Sequence, residues 1–253
     1  MTRLADPPAT TARLYALPFS HPSIAARLML ERAGIEHEIV NLPMGLHSLF
    51  LRKAGFRGGT VPALVLDGRR IQGSLVISRA IEARGPAGVL FPVETEARRR
   101  VEGAERWAEA ELQPIPRRLF RWALSRDASL RRRAARMARF PLPRLAGALM
   151  KPLAARYARV SHADDATVKA DLDRLPALLD RVDAWIAEGT IGGGRPNAAD
   201  YQIGTTIRAM LAMDDLRPWI AGRPVAGMAA RIVPEYPGRL PSVLPPDWKP
   251  RTA

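Results

Sequence analysis

The chain of 253 residues contains no cysteine. That absence excludes disulfides, thiolate metal sites and any dithiol redox cycle built on the chain itself, and with them cysteine-type reductase chemistry. Histidine is scarce: His21, His37, His47 and His162 are scattered without metal-ligand spacing, so no metal is expected. No run approaches the ~20 apolar residues that span a bilayer, and the first residues lack the apolar core of a signal peptide, which makes a cytoplasmic location the expectation. Acidic residues are also short, 25 against 39 basic, for a formal charge of +14. The excess is local, because Arg117 to Arg159 carries 13 basic residues and 1 acidic one.

Within that segment Leu145, Leu149, Leu153 and Tyr157 recur every fourth residue with Arg144, Lys151, Arg156 and Arg159 between them, the pattern of a basic amphipathic helix. Three readings compete: a solvated bundle helix, a helix on an anionic membrane surface, or a face for an acidic partner such as nucleic acid. The solvated helix is preferred, since bundle helices need the same apolar stripe. A membrane surface stays open, and nucleic acid is not expected.

What is present is most informative between Thr60 and Ser74. Pro62 is flanked by Val61 and by the apolar run Leu64-Val65-Leu66, and proline cannot donate a ladder hydrogen bond, so it belongs at an edge or special turn. A cis bond at Pro62 would let the Val61 amide and carbonyl face an extended ligand. Asp67-Gly68 between Leu64–Leu66 and Arg69–Ile71 predicts a hairpin. Ser74 is then the expected N-cap of a helix carrying Val76, Ile77, Ala80 and Ile81, whose first N–H groups would attract a carboxylate. Upstream, Leu14–Leu17 is a short apolar run and Ile24–Leu30 is apolar at helical spacing, so Ser20-His21-Pro22-Ser23 lies at a strand-to-helix junction. Tyr15 should pack in or beside the sheet, Ser23 should serve the helix start, and His21 should be exposed at the cleft.

Further along, Glu94 to Gln113 reads as a charged helix with Trp107 and Leu112 inward, broken by Pro114 and Pro116. Asp165 to Glu188 has a helical stripe that Pro176 should kink or split. Asn197 with Asp200 predicts a capping box opening an apolar, buried helix. Met1–Thr11 and Pro241–Ala253 are expected to be poorly ordered tails.

Strand, Ser-x-x-Ser, helix, second strand, proline hairpin and closing helix is the order of a thioredoxin-like domain. On these residues, Leu14 to Ala83 resembles the N-terminal domain of the glutathione transferase superfamily, with Ser20 at the position of the catalytic serine or cysteine and Val61-Pro62 as the cis-proline motif. Gly73-Ser74 falls where the family usually carries an acidic residue followed by serine, and Gly192 to Asp200 looks like the capping box of the family's helical domain. The resemblance implies an α/β thioredoxin-like domain over 12–85 and an all-α bundle over 93–240. It implies a serine-type enzyme with glutathione, or another low-molecular-weight thiol, as co-substrate: Ser20 stabilises the thiolate, and Val61, Pro62, Gln72, Gly73 and Ser74 hold the thiol. Trp107, Leu112 and Trp122 would line a pocket for a hydrophobic electrophile, and the protein would be a homodimer. Gly73 departs from the family, since an acid there receives the ammonium group of glutathione; three readings stay open, that Gln72 partly substitutes, that a carboxylate-bearing thiol of another kind binds, or that the fold has lost thiol chemistry. The alternative is a non-catalytic scaffold that keeps the fold and docks through segment 117–159 on an acidic partner or membrane surface.

Overall fold

The computed structural model describes residues 12–137 and 142–249. The first domain consists of β1 (Ala12–Ala16), α1 (His21–Arg32), β2 (His37–Asn41), α2 (His47–Lys53), β3 (Ala63–Leu66), β4 (Arg69–Gln72) and α3 (Ser74–Arg84). The sheet order is β2-β1-β3-β4, with β1 parallel to β2 and antiparallel to β3, and β3 antiparallel to β4. Asp67 and Gly68 both have positive φ, 50° and 78°, as a tight two-residue hairpin turn requires. Leu14 and Leu64, on paired strands, are fully buried with Met29, Leu30, Ile77 and Ile81 of α1 and α3. Each such side chain contributes roughly 1.5–3 kcal/mol through removal from water.

Register decides where the ends of this sheet lie. Tyr15 pairs with Ala63, and Ala63 with Gln72. The C-terminal ends of β1 and β4 and the start of β3 therefore meet at one edge, where the Gly73 amide donates to the Pro62 carbonyl at 3.2 Å. Because β2 is parallel to β1, α1, α2 and α3 all begin at that same edge.

The second part is helical: α4 (Thr95–Trp107), α5 (Pro114–Arg126), α6 (Ala128–Met137), α7 (Pro143–Leu149), α8 (Lys151–Val160), α9 (Asp165–Ala187), α10 (Ala198–Leu211), α11 (Arg217–Ile220) and α12 (Pro224–Ile232). One apolar core runs from the sheet through Leu90 and Phe91 into α10, where Ile203, Ile207 and Met210 are fully buried. The predicted capping box is formed: Asn197 Oδ1 accepts from the Asp200 amide at 3.1 Å, and Asp200 accepts from the Asn197 amide at 2.9 Å. Asp200 also accepts from the Gly192 amide, which ties the glycine loop to the helix start.

Three expectations are corrected. Pro114 and Pro116 do not break the helix before them, because a π-helical stretch, Ala108–Leu112, closes on the Gln113 amide and leads directly into α5 with Pro114 in its first turn. Pro176 does not split α9, which runs from Asp165 to Ala187 around it. The tail from Pro241 is docked through residue 249: the Val243 and Leu244 amides donate to Asp215, Leu244 is buried, and Trp248 packs against Trp122. The rest of that tail and Met1–Thr11 lie outside the described residues.

The basic amphipathic helix expected over residues 144–159 is also not one helix. It is divided between α7 and α8, which Met150 separates. The stripe expected to face inward is turned out, with Leu145 55% and Leu149 69% exposed. No helix among the described residues is long and apolar enough to cross a membrane.

Candidate functional site

The sheet edge where α1, α2 and α3 begin gathers the groups singled out in the sequence. Ser20 is the N-cap of α1, half-buried, and its Oγ accepts from the Ser23 amide at 3.4 Å. That bond is long against the usual 2.9–3.0 Å, and the hydroxyl, which only accepts in it, keeps its own proton to donate. The segment before Ser20 is held from the far end of the chain, since the Tyr236 hydroxyl donates to the Phe19 carbonyl at 2.7 Å. Tyr15 packs edge-on against Phe56, as expected, and takes no place at this edge.

His21 is buried, contrary to expectation, at 7% exposure. Its Nδ1 lies 3.1 Å from Thr206 Oγ1, and the Thr206 hydroxyl gives its one proton to the Gln202 carbonyl at 2.7 Å. The Nδ1–H of His21 is therefore the donor between them. Burial, with the nearby charge of Arg117, pushes the imidazole down to about 3, so it is neutral at physiological pH. It anchors α1 to α10 and supplies no base.

Val61 and Pro62 are joined by a cis bond. Pro62 is buried and Val61 half-buried, just outside the ladder that starts at Ala63. Gln72 is held at both ends: its Oε1 accepts from the Gly58 amide at 3.0 Å and its Nε2 donates to the Thr60 carbonyl at 2.9 Å. It fixes the loop ahead of Val61.

The start of α3 differs from the sequence expectation. The N-cap is Gly73, with φ 92° and ψ 138°, a conformation that L-residues rarely adopt, and Ser74 is the first helical residue. Ser74 is 3% exposed, and its hydroxyl reaches Glu109 Oε1 at 3.5 Å, across the domain boundary, from the π-helical stretch. Burial raises the Glu109 carboxyl, opposed by the Ser74 hydroxyl and the charge of Arg117. A carboxyl group thus stands at the first turn of α3.

The helical domain covers this edge in two further places. The Tyr157 hydroxyl of α8 lies 3.4 Å from the Gly45 carbonyl, and its ring stacks at 6.1 Å on His47, the first residue of α2. Beside Glu109, an ion pair joins Arg79 of α3 to the fully buried Glu105 of α4.

The three residues expected to line an electrophile pocket are dispersed. Leu112 is fully buried in the core, and Trp107 packs edge-on against Trp185 at 5.0 Å. Trp122 is buried, donates to Asp165 at 2.7 Å and lines, with Trp248, a separate hollow of about 380 Å³. A larger hollow of about 620 Å³, lined by Tyr15, His37, Val65 and Arg70, also contains none of the groups gathered at the sheet edge. Along α5, Arg117 and Arg121 stand one turn apart, Arg117 bonded to the Gln113 side chain and the Arg121 guanidinium 5.7 Å from the ring centroid of Tyr157, which stacks on His47. Sequence reasoning missed Glu109, Arg117, Arg121 and Tyr157; the four-residue spacing of Gln113, Arg117 and Arg121 was the signal that could have found the arginines. Among the described residues no group of three or more His, Cys, Asp or Glu could hold a metal ion.

Residues 14–88 match the family model described as the glutathione S-transferase N-terminal domain. The match spans the first domain, from β1 through α3, and does not extend to the helical part. Solved structures agree in fold over most of the chain. Glutathione transferase F7 from Populus trichocarpa is 17% identical, covering 89% of this chain and 94% of its own, with a TM-score of 0.59. The theta class glutathione S-transferase from Xanthomonas axonopodis pv. citri, solved with glutathione bound, is 21% identical over 89% of this chain and 97% of its own, with a TM-score of 0.56. Maleylacetoacetate isomerase from Anaeromyxobacter dehalogenans, with glutathione in its active site, is 20% identical over 89% and 93%, with a TM-score of 0.53. The chain matches no sequence among the curated proteins.

Proposed function

We propose that the protein is a member of the glutathione S-transferase superfamily and a serine-type enzyme that transfers glutathione, or a closely related low-molecular-weight thiol, to an electrophile. The observation that carries the reading is the Ser20 hydroxyl, half-buried at the start of α1 with its proton uncommitted, at the same sheet edge as Val61 and the first turn of α3. A free thiol near pKa 8.5 is only a few per cent ionised at neutrality, and lowering it by about two units takes roughly 2.7 kcal/mol. A hydrogen bond to an ionised group contributes ~1.5–3 kcal/mol and a helix N-terminus ~0.3–1, so Ser20 on α1 is sufficient without a general base. The thiol proton goes to solvent, the sulfur–carbon bond forms, and the leaving group departs with its electron pair.

Val61 pairs with the backbone of the thiol. The α-amino acid end lies over α3, its carboxylate on Ser74 and the first-turn amides, and its ammonium on Glu109, which takes over from the acid absent at position 73. Gly73 cannot itself be that acid, because its φ of 92° disfavours any side chain. The reading carries with it a homodimer in the cytoplasm.

The test is a thermal shift with glutathione followed by turnover of a halonitrobenzene. Ser20→Ala should keep the shift and lose most of the turnover; equal activity in the variant overturns the assignment.

A further inference from the structure

The acceptor side of the cleft is charged where an apolar lining was expected. Arg117 and Arg121 stand one turn apart on α5, and Arg117 donates to the Gln113 side chain one turn earlier. The Arg121 guanidinium carbon lies 5.7 Å from the centroid of the Tyr157 ring, and that ring covers His47. Neither arginine has a carboxylate within ion-pair distance among the described residues. The contrast with Arg118, next in sequence, is direct: it points the other way and holds Asp171 through two bonds of 2.5 and 2.6 Å. Close by, His47 Nδ1 is buried without a hydrogen-bond partner. Burial holds Arg121 below the ordinary arginine range, against the pull of Tyr157, so the protein tolerates a half-buried cation here with no acid to balance it. Two guanidinium groups, of which Arg117 feels the Glu109 carboxyl only at a distance and Arg121 no acid at all, complement an anion together with the free imidazole nitrogen, and a guanidinium fork fits a carboxylate best.

We propose that Arg117 and Arg121 form an anion subsite on the helical wall of the cleft, and that the electrophile this enzyme takes carries a carboxylate. The inference deepens the transferase reading and rests on it for the identity of the reaction.

The test pairs a neutral acceptor, 1-chloro-2,4-dinitrobenzene, with an anionic one, 4-chloro-3-nitrobenzoate, each losing chloride as the sulfur–carbon bond forms. In Arg117→Gln and Arg121→Gln, the ratio of kcat/KM for the anionic over the neutral acceptor should fall about tenfold or more, the size expected when a charge-assisted hydrogen bond is lost. Arg121→Lys should recover part of the ratio. An unchanged ratio, or a loss confined to the KM for glutathione, overturns the subsite. Calorimetric titration with 3-nitrobenzoate, which has no leaving group, separates the two readings. Arginine-dependent binding without turnover of either acceptor leaves the subsite standing and removes the transferase. Turnover of the neutral acceptor with no arginine-dependent binding does the reverse.

Discussion

On one wall of the cleft the functional groups are short and tied to the backbone: Ser20 caps α1, Val61 flanks the ladder, and Ser74 opens α3, all brought together by the pairing of β1, β3 and β4. On the other wall they are long and charged, with Glu109 from the π-helical stretch, Arg117 and Arg121 from α5, and Tyr157 from α8. The first wall is positioned by sheet register, which is stiff because a one-residue slip would turn Leu14 and Leu64 out of the core. The second is positioned by helix phase, which a single extra residue in a turn rotates by about 100°. We infer a division of labour: the register-built wall holds a constant thiol, and the phase-built wall, freer to vary, selects the acceptor.

The largest effect should come from separating the walls. Arg79 on α3 is the partner of Glu105 on α4, a carboxylate with no solvent exposure whose Oε2 accepts from Arg79 and whose Oε1 has no hydrogen-bond partner. Arg79→Ala leaves that charge buried and unpaired, and should cost about 3 kcal/mol of stability by denaturant titration. Burial already raises the Glu105 carboxyl above its ordinary 4.5, outweighing the opposite pull of Arg79. A carboxyl raised in the fold takes stability away as pH climbs past the unfolded value. The variant's deficit should therefore be small below pH 4.5 and grow above it; a deficit independent of pH would show that the pair does not join the walls electrostatically.

Next comes the chemistry of the register-built wall alone. If Ser20 donates to the thiolate as proposed, kcat of Ser20→Ala should fall about a hundredfold while glutathione affinity by calorimetry changes less than about twofold. A loss of affinity as large as the loss of kcat would mean that Ser20 holds the thiol without ionising it. That outcome would erase the distinction between positioning and activation on this wall.

The contrast also explains what could be read in advance. Pro62, the Asp67-Gly68 turn and the Asn197–Asp200 box are local signals, in which a few adjacent residues dictate the backbone, and each appears where expected. Ser74 lies one residue inside the helix it is expected to cap, because the sequence does not reveal that Gly73 takes a φ of 92° and caps the helix itself. His21 is buried where exposure is expected, because its partner, Thr206, is 185 residues away. The helical wall was illegible for a third reason. Pro114 and Pro116 look like breakers, but the π-helical stretch absorbs them and re-phases α5, sending Trp122 to Asp165 and Trp248 and leaving Arg117 and Arg121 at the cleft. The charge excess of segment 117–159 is visible in the sequence, but not that Arg118, Arg126 and Arg131 are engaged in hydrogen bonds or ion pairs while Arg121 meets only the ring of Tyr157.

The smallest effect sharpens the comparison where the walls touch. If Glu109 receives the ammonium of the thiol, an analogue of glutathione lacking only the amino group should bind about tenfold less tightly, the contribution of one hydrogen bond to a charged group. Glu109→Gln should bind glutathione and the analogue alike, with the loss falling on glutathione. The carboxyl is raised by burial, so the preference for the amino group should fade on acidification at a higher pH than an ordinary carboxylate's 4.5. If Glu109→Gln instead strengthens binding of both thiols equally, Glu109 is a rival to the ligand's own carboxylate at Ser74. The compensation for Gly73 would then have to come from outside the register-built wall and the π-helical stretch together.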